Sequence, residues 1–370
     1  MRRLLLLALL LAPASAAAAD ITVPVLVPLT GFLALEGSSQ RNGALLALQT
    51  PPAGLTVHAP VTDTGTAPEG ALTAFDRATE GGGVPGVVAS MLGTQMLALM
   101  PVAKDAGIPL VTISGTAGIT EQGNPYVFRF FPGDPVRKIA QIRYALDVMK
   151  MQHPALIGQS DAYGQSGLAA MQAALAEAGV APVFADQLDN SVKDMAPVLA
   201  KARAAGADGL LVQLHSGPTA LLLKAAAAMG LGLPVISGSG LDQPSTAALL
   251  EPAELKGVCV ETNAAPAADG APDMAAWTTS YRAAFHTEPD GFALAQYDGA
   301  RAMLQAIAAG ADTPAKLAQA LAAGRFHGLA MDYYSDGKGN MAHSAVVVCF
   351  DGATRVPHLA RRYDAIDAKP

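Results

Sequence analysis

A helix that begins directly behind a strand presents free backbone N–H groups, and Gly93-Thr94-Gln95, following the apolar run 86–90, is such a place. Those amides, aided by the helix dipole, suit a carboxylate. The Thr94 hydroxyl either adds to them or serves as a plain N-cap. Bond-breaking chemistry has no comparable support. The chain has no Gly-x-Ser-x-Gly elbow, Walker A run or His-Glu-x-x-His helix; its Gly-x-Gly-x-x-Gly spelling at 81–86 runs into a strand-like segment where the nucleotide-binding turn opens a helix, and Gly164-Gln165-Ser166-Gly167 and Gly238-Ser239-Gly240 lack the spacing. The 7 histidines are scattered without i,i+4 or loop-pair spacing, so neither a metal nor any other cofactor is expected. The chemistry on offer is reversible capture of a small molecule.

The elements that must position those residues follow a leader. Met1-Arg2-Arg3, the apolar run 4–11 and the small residues Ala14-Ser15-Ala16 through Ala19 read as a secretory signal peptide, too short to span a bilayer and cleaved near Ala19. About 350 residues remain, more than one core usually serves, so two domains are expected. A net charge of -7 without a basic run argues against nucleic acid or an anionic membrane as partner. The 2 cysteines, Cys259 and Cys349, lie in strand-like runs and in an oxidising compartment either bridge or remain two buried thiols.

Strand-like runs at 21–27, 56–61, 86–89 and 108–112 alternate with helical segments at 39–49, 68–80 and 94–106. The rhythm restarts after Pro132: helix 135–151, strand 155–159, helix 163–178, strand 182–188, helix 194–205, strand 208–214, helix 217–229, strand 233–237. Such alternation predicts an α/β chain of two doubly wound parallel-sheet lobes, with ligand sites outside the carboxyl ends of the strands. Helices at 272–286, 292–309 and 313–323 and a strand-rich tail around 345–350 are too little for a third domain. The economical division is a signal peptide at 1–19, a first lobe of 20–131 plus 263–341, and a second lobe of 132–262 plus 342–370, joined by a hinge.

The stretch Val27-Pro28-Leu29-Thr30-Gly31-Phe32-Leu33-Ala34-Leu35-Glu36-Gly37, with Gln40-Arg41-Asn42-Gly43-Ala44, resembles the opening of branched-chain amino acid type periplasmic binding proteins. Pro101-Val102-Ala103-Lys104-Asp105-Ala106-Gly107-Ile108-Pro109-Leu110, Ser114-Gly115-Thr116, Phe128-Arg129, Asp161-Ala162-Tyr163-Gly164 and Tyr297-Asp298-Gly299-Ala300 continue the resemblance over nearly the whole mature chain. It implies the type I periplasmic binding fold, a periplasmic location, a small carboxylate or amide as ligand, and an ABC permease with its ATPase as partners of a monomer. A ligand sensor using the same closure is the competing role.

The resemblance also implies a ligand site. Leu92, Gly93 and Thr94 stand at the family's first-lobe turn. Ser114 and Thr116 stand where a carbonyl and a hydroxyl meet the ligand, and Tyr163 where an aromatic covers it. His215 occupies a second-lobe contact position as either contact or bystander. Two departures stand out: Ser239 replaces the acid that takes an ammonium, with Asp242 nearby as a substitute, and Glu36 sits in a loop position where family members carry an aromatic or small residue. The ligand is therefore expected to be carboxylated without being an ordinary branched-chain amino acid.

Overall fold

The computed structural model describes residues 19–366; the expected leader and the last four residues lie outside them, except Ala19. Two wound sheets carry the chain. The first has five strands, all parallel, in the order Val61–Asp63, Val25–Val27, Val87–Val88, Leu110–Thr112, Val127–Arg129. The second has seven, in the order His358–Tyr363, Ala345–Cys349, Val258–Thr262, Val235–Ser237, Gly209–Gln213, Pro154–Gln159, Phe184–Leu188. Ala345–Cys349 alone runs against the other six, pairing antiparallel with both Val258–Thr262 and the edge strand His358–Tyr363, so the second sheet is mixed where a parallel one was expected.

Prolines account for another difference. The expected strand at 21–27 is two strands, Ala19–Thr22 and Val25–Val27, and that at 56–61 is Leu55–His58 followed by Val61–Asp63. Pro24 and Pro60 fall in the gaps and have no N–H to give a ladder. Ala19–Thr22 and Leu55–His58 consequently pair with each other as a separate ribbon.

One continuous core joins Val25, Val27, Val88, Val111 and Phe128 of the first sheet to Leu294, Met303 and Leu304 of the helix Gly291–Ala308 and Trp277 of Pro272–Phe285. The helices after 263 thus return to the first sheet. Gly43 of the helix Ala34–Leu48 makes that return close: a Cβ there would stand 2.0 Å from the Ala293 carbonyl oxygen. Around the second sheet two further cores collect Ile157, Val212, Val260 and Val348 on one face and Leu156, Leu211, Ile236 and Val347 on the other. The tail is fastened by a disulfide between Cys259 and Cys349, which stand opposite each other on antiparallel strands.

Candidate functional site

Four residues separate the strand Val87–Val88 from the helix Gly93–Ala106, which has Leu92 at its N-cap. Leucine offers no side-chain cap, which leaves first-turn amides to the solvent or a ligand. Gly93 lets another loop approach: a Cβ there would meet Thr116 Oγ1 at 2.1 Å. Thr116 and Ser114 are buried, and neither hydroxyl has a hydrogen-bond partner. Their turn is held from below by Arg129, whose Nη1 donates to the carbonyl oxygens of Thr116 (2.7 Å) and Gly115 (3.3 Å). Burial pushes the Arg129 guanidinium down to about 10, against the pull of Asp134, so it stays charged at neutral pH beneath the turn.

Opposite stands a fully buried charge cluster from the second sheet. Asp134 and Arg137 share the first turn of the helix Asp134–Asp147 and are paired. Arg137 Nη1 also reaches Glu261 Oε1 at 2.7 Å and Ser239 Oγ at 2.8 Å, its Nε donates to the Pro132 oxygen at 2.9 Å, and Lys138 Nζ lies 2.6 Å from the same Glu261 oxygen. Burial alone would lower both cations. For Arg137 the attraction of Glu261 and Asp134 overcomes it and holds the guanidinium above its ordinary value, whereas for Lys138 burial wins and the ammonium falls below. An acid therefore does stand beside Ser239, namely Glu261, but it is spent on two cations.

Between these walls lies a narrow cleft. Leu33, Met91, Ile113, Phe131 and Phe292 give it an apolar side, with the Phe131 and Phe292 ring centroids 5.3 Å apart. Tyr163 and His215 form an aromatic side, stacked at 4.8 Å, and Phe32 lies 5.1 Å from the histidine ring. His215 Nε2 is 2.7 Å from Asp161 Oδ2, and Asp161 in turn caps the helix Ala162–Glu177 through Gly164 N. Despite burial, those bonds hold the Asp161 carboxyl below its ordinary value.

Of the residues singled out in the sequence, Glu36, Leu92, Gly93, Tyr163, His215 and Ser239 line the cleft. Ser114 and Thr116 stand behind it, with Gly115 of the same turn at the surface, and Thr94 does not line it. Glu36 is not in a loop but in the first turn of Ala34–Leu48, because the chain enters that helix straight from a 3₁₀ turn at Gly31–Leu33. Asp242 turns away from the cleft and accepts from Thr262 Oγ1 (3.2 Å) and Gly291 N (3.3 Å). Arg129 was read only as part of the resemblance, and Arg137, Glu261, Phe131 and Phe292 were not singled out as site residues. A visible signal existed for one of them: a glutamate inside the apolar run Val258-Cys259-Val260-Glu261 requires a buried partner.

The two sheets touch across the cleft in a closed arrangement. Glu36 Oε1 accepts from Ser216 N at 3.0 Å and from the Ser216 hydroxyl, Ala117 N donates to Ser166 Oγ at 2.8 Å, and Gln243 Nε2 donates to Asp290 Oδ2 at 3.1 Å. Two wound sheets closing on a cleft at the carboxyl ends of their strands define the type I periplasmic binding fold. The chain belongs to the periplasmic binding protein family, whose model matches residues 20–353. It is 29% identical over 315 residues to an amino acid binding protein of Pseudomonas aeruginosa, with 82% of each chain covered. A leucine binding protein LivK of Thermotoga maritima superposes with a TM-score of 0.83 at 21% identity, covering 94% of this chain and 100% of that one. A solute binding protein of an ABC transporter from Rhodopseudomonas palustris HaA2, in complex with p-hydroxybenzoic acid, does so with a TM-score of 0.83 at 20% identity, covering 94% and 98%.

Proposed function

We propose that this protein is the periplasmic solute-binding component of an ABC importer, delivered by a cleaved signal peptide and working as a monomer that hands its solute to a permease and ATPase. The lobes divide as 20–131 with 263–341 and 132–262 with 342–370, and close by hinge motion on a small carboxylate-bearing solute. The observation that carries this reading is the uncapped Gly93 helix start in the cleft wall, backed by the turn whose Ser114 and Thr116 hydroxyls are partnerless just behind that wall and whose carbonyls are held by the Arg129 charge. Together they make a carboxylate seat. The rings of Phe131, Phe292 and Tyr163 suit an apolar or aromatic body. The amino acid and the p-hydroxybenzoic acid named for the related proteins both carry a carboxyl group.

Calorimetry with amino acids, aromatic acids and their amides tests the proposal. At least one carboxylate is expected to bind, its amide to bind at least about tenfold more weakly, and Gly93→Ala, whose methyl collides with Thr116, to weaken the acid by a similar factor. Amides binding as tightly as acids would overturn the carboxylate seat. Tight leucine or valine binding with aromatic acids and amides inert would show an ordinary branched-chain binder instead.

A further inference from the structure

Glu36 is a buried carboxylate held by two neutral donors and, among the described residues, paired with no cation. Its Oε1 accepts the Ser216 amide and hydroxyl, at the start of a helix, Ser216–Ala228, whose own N-cap residue His215 provides no side-chain cap. The cap for that helix therefore arrives from the other sheet, 180 residues away in sequence. Oε2, on the same carboxylate, is buried in the cleft wall without a partner. Among the described residues no ion pair reaches Glu36, and Arg137, the cation of the cleft, is occupied by Asp134, Glu261 and Ser239. Glu36 is also the one carboxylate lining the cleft.

We propose that Glu36 determines specificity by reading closure with one oxygen and an ammonium group of the solute with the other, so that the carried solute is a zwitterionic amino acid with an apolar or aromatic side chain. This rests on the carboxylate seat proposed above. Opening removes Oε1 from the helix start, where a carboxylate is favoured by free amides and the dipole. Closing without a cation strands Oε2 away from water. A solute ammonium removes that penalty, and Gly93, which lines the same cleft, offers its helix start to the carboxylate borne on the same solute carbon. Glu261, the acid beside Ser239, does not serve this purpose because Arg137 and Lys138 already neutralise it.

The test uses matched pairs that differ only in the amino group: L-phenylalanine against 3-phenylpropanoate, and L-leucine against 4-methylpentanoate, titrated calorimetrically into the full mature chain. The amino acid of at least one pair is expected to bind at least about tenfold tighter. Glu36→Gln keeps an oxygen for Ser216 but presents an NH₂ to the ammonium, so it should abolish the preference by weakening the amino acid alone. Thermal melting confirms that the variant is folded. Glu36→Ala removes the cap as well, and small-angle scattering of the ligand-free variant should show a larger radius of gyration than the wild type. Equal affinity within each pair, a preference that survives Glu36→Gln, or an unchanged scattering radius for Glu36→Ala overturns the inference while the carboxylate reading stands. A panel in which no carboxylate binds at all overturns both.

Discussion

Glu261 lies on Val258–Thr262, an interior strand of the second sheet, with both of its cationic partners as deeply buried as itself. Pairs of this kind gain little over an apolar core, because desolvation consumes the Coulomb attraction, but losing one partner leaves the others uncompensated. Glu261→Gln is accordingly expected to destabilise the protein by about 3–5 kcal/mol in denaturant unfolding, and Arg137, freed from it, to lose its fixed position beside Ser239. A loss under about 1 kcal/mol would mean that Asp134 alone suffices to hold both cations. At this scale the sequence was legible where a residue announces its own geometry. Gly93 at a helix start and Ser114-Gly115-Thr116 at a turn are readable locally, and Tyr163 and Ser239 by family position. Arg137, Phe131 and Phe292 carry no such mark, since an arginine in a helix and phenylalanines near a strand end read equally well as surface and core. Asp298 shows the converse: it belongs to the resemblance, yet it pins the Leu329 and Ala330 amides and the Tyr333 hydroxyl and takes no part in the cleft.

The element most misread is the helix Ala34–Leu48, expected to begin at 39. Its residues Ser39, Gln40 and Asn42 look like loop or solvent-facing positions, but each is buried against a polar partner: Asp290, Gln296 and Tyr281. A helix whose buried face is polar has no apolar stripe to mark where it starts. Long periodic segments fared better, and Gly93–Ala106 and Gly291–Ala308 lie within a residue of expectation. The final strands could be placed in the second lobe only by economy of topology, and the disulfide now gives that return a covalent reason. Cys259 and Cys349 close a loop spanning 90 residues, which in a chain-entropy account is worth about 4.6 kcal/mol. Reduction, or Cys259→Ser with Cys349→Ser, is expected to lower the melting temperature by several degrees, read by calorimetry with and without reductant. An unchanged melting temperature would show that strand pairing alone retains the tail.

Where the two sheets meet behind the cleft, Asp242 from the turn Ser239–Asp242 and Asp290 at the start of Gly291–Ala308 stand close enough to repel. Burial first, and then Asp290, push the Asp242 carboxyl up from 3.8 to about 7, although Gly291 N and Thr262 favour its charge; burial also raises Asp290. The sign follows from linkage. Below about 3.8 the carboxyl is protonated folded or unfolded and costs nothing. Between that value and about 7 the folded state holds a proton that the unfolded chain releases, so stability falls as pH rises, and above about 7 the buried charge exerts its full cost. A carboxyl raised that far sets a ceiling of about 4 kcal/mol. Asp242→Asn removes the titration while keeping an oxygen for Thr262 and Gly291. Denaturant unfolding should therefore find the variant nearly equal to wild type near pH 4 and more stable than wild type near pH 8, the gap opening through the intervening range. Asp298, raised by burial to about 6, titrates in the same window, but it is common to both proteins and cancels in their difference. A gap that stays constant with pH would place the charge of Asp242 in contact with water, and with it the seam between the lobes.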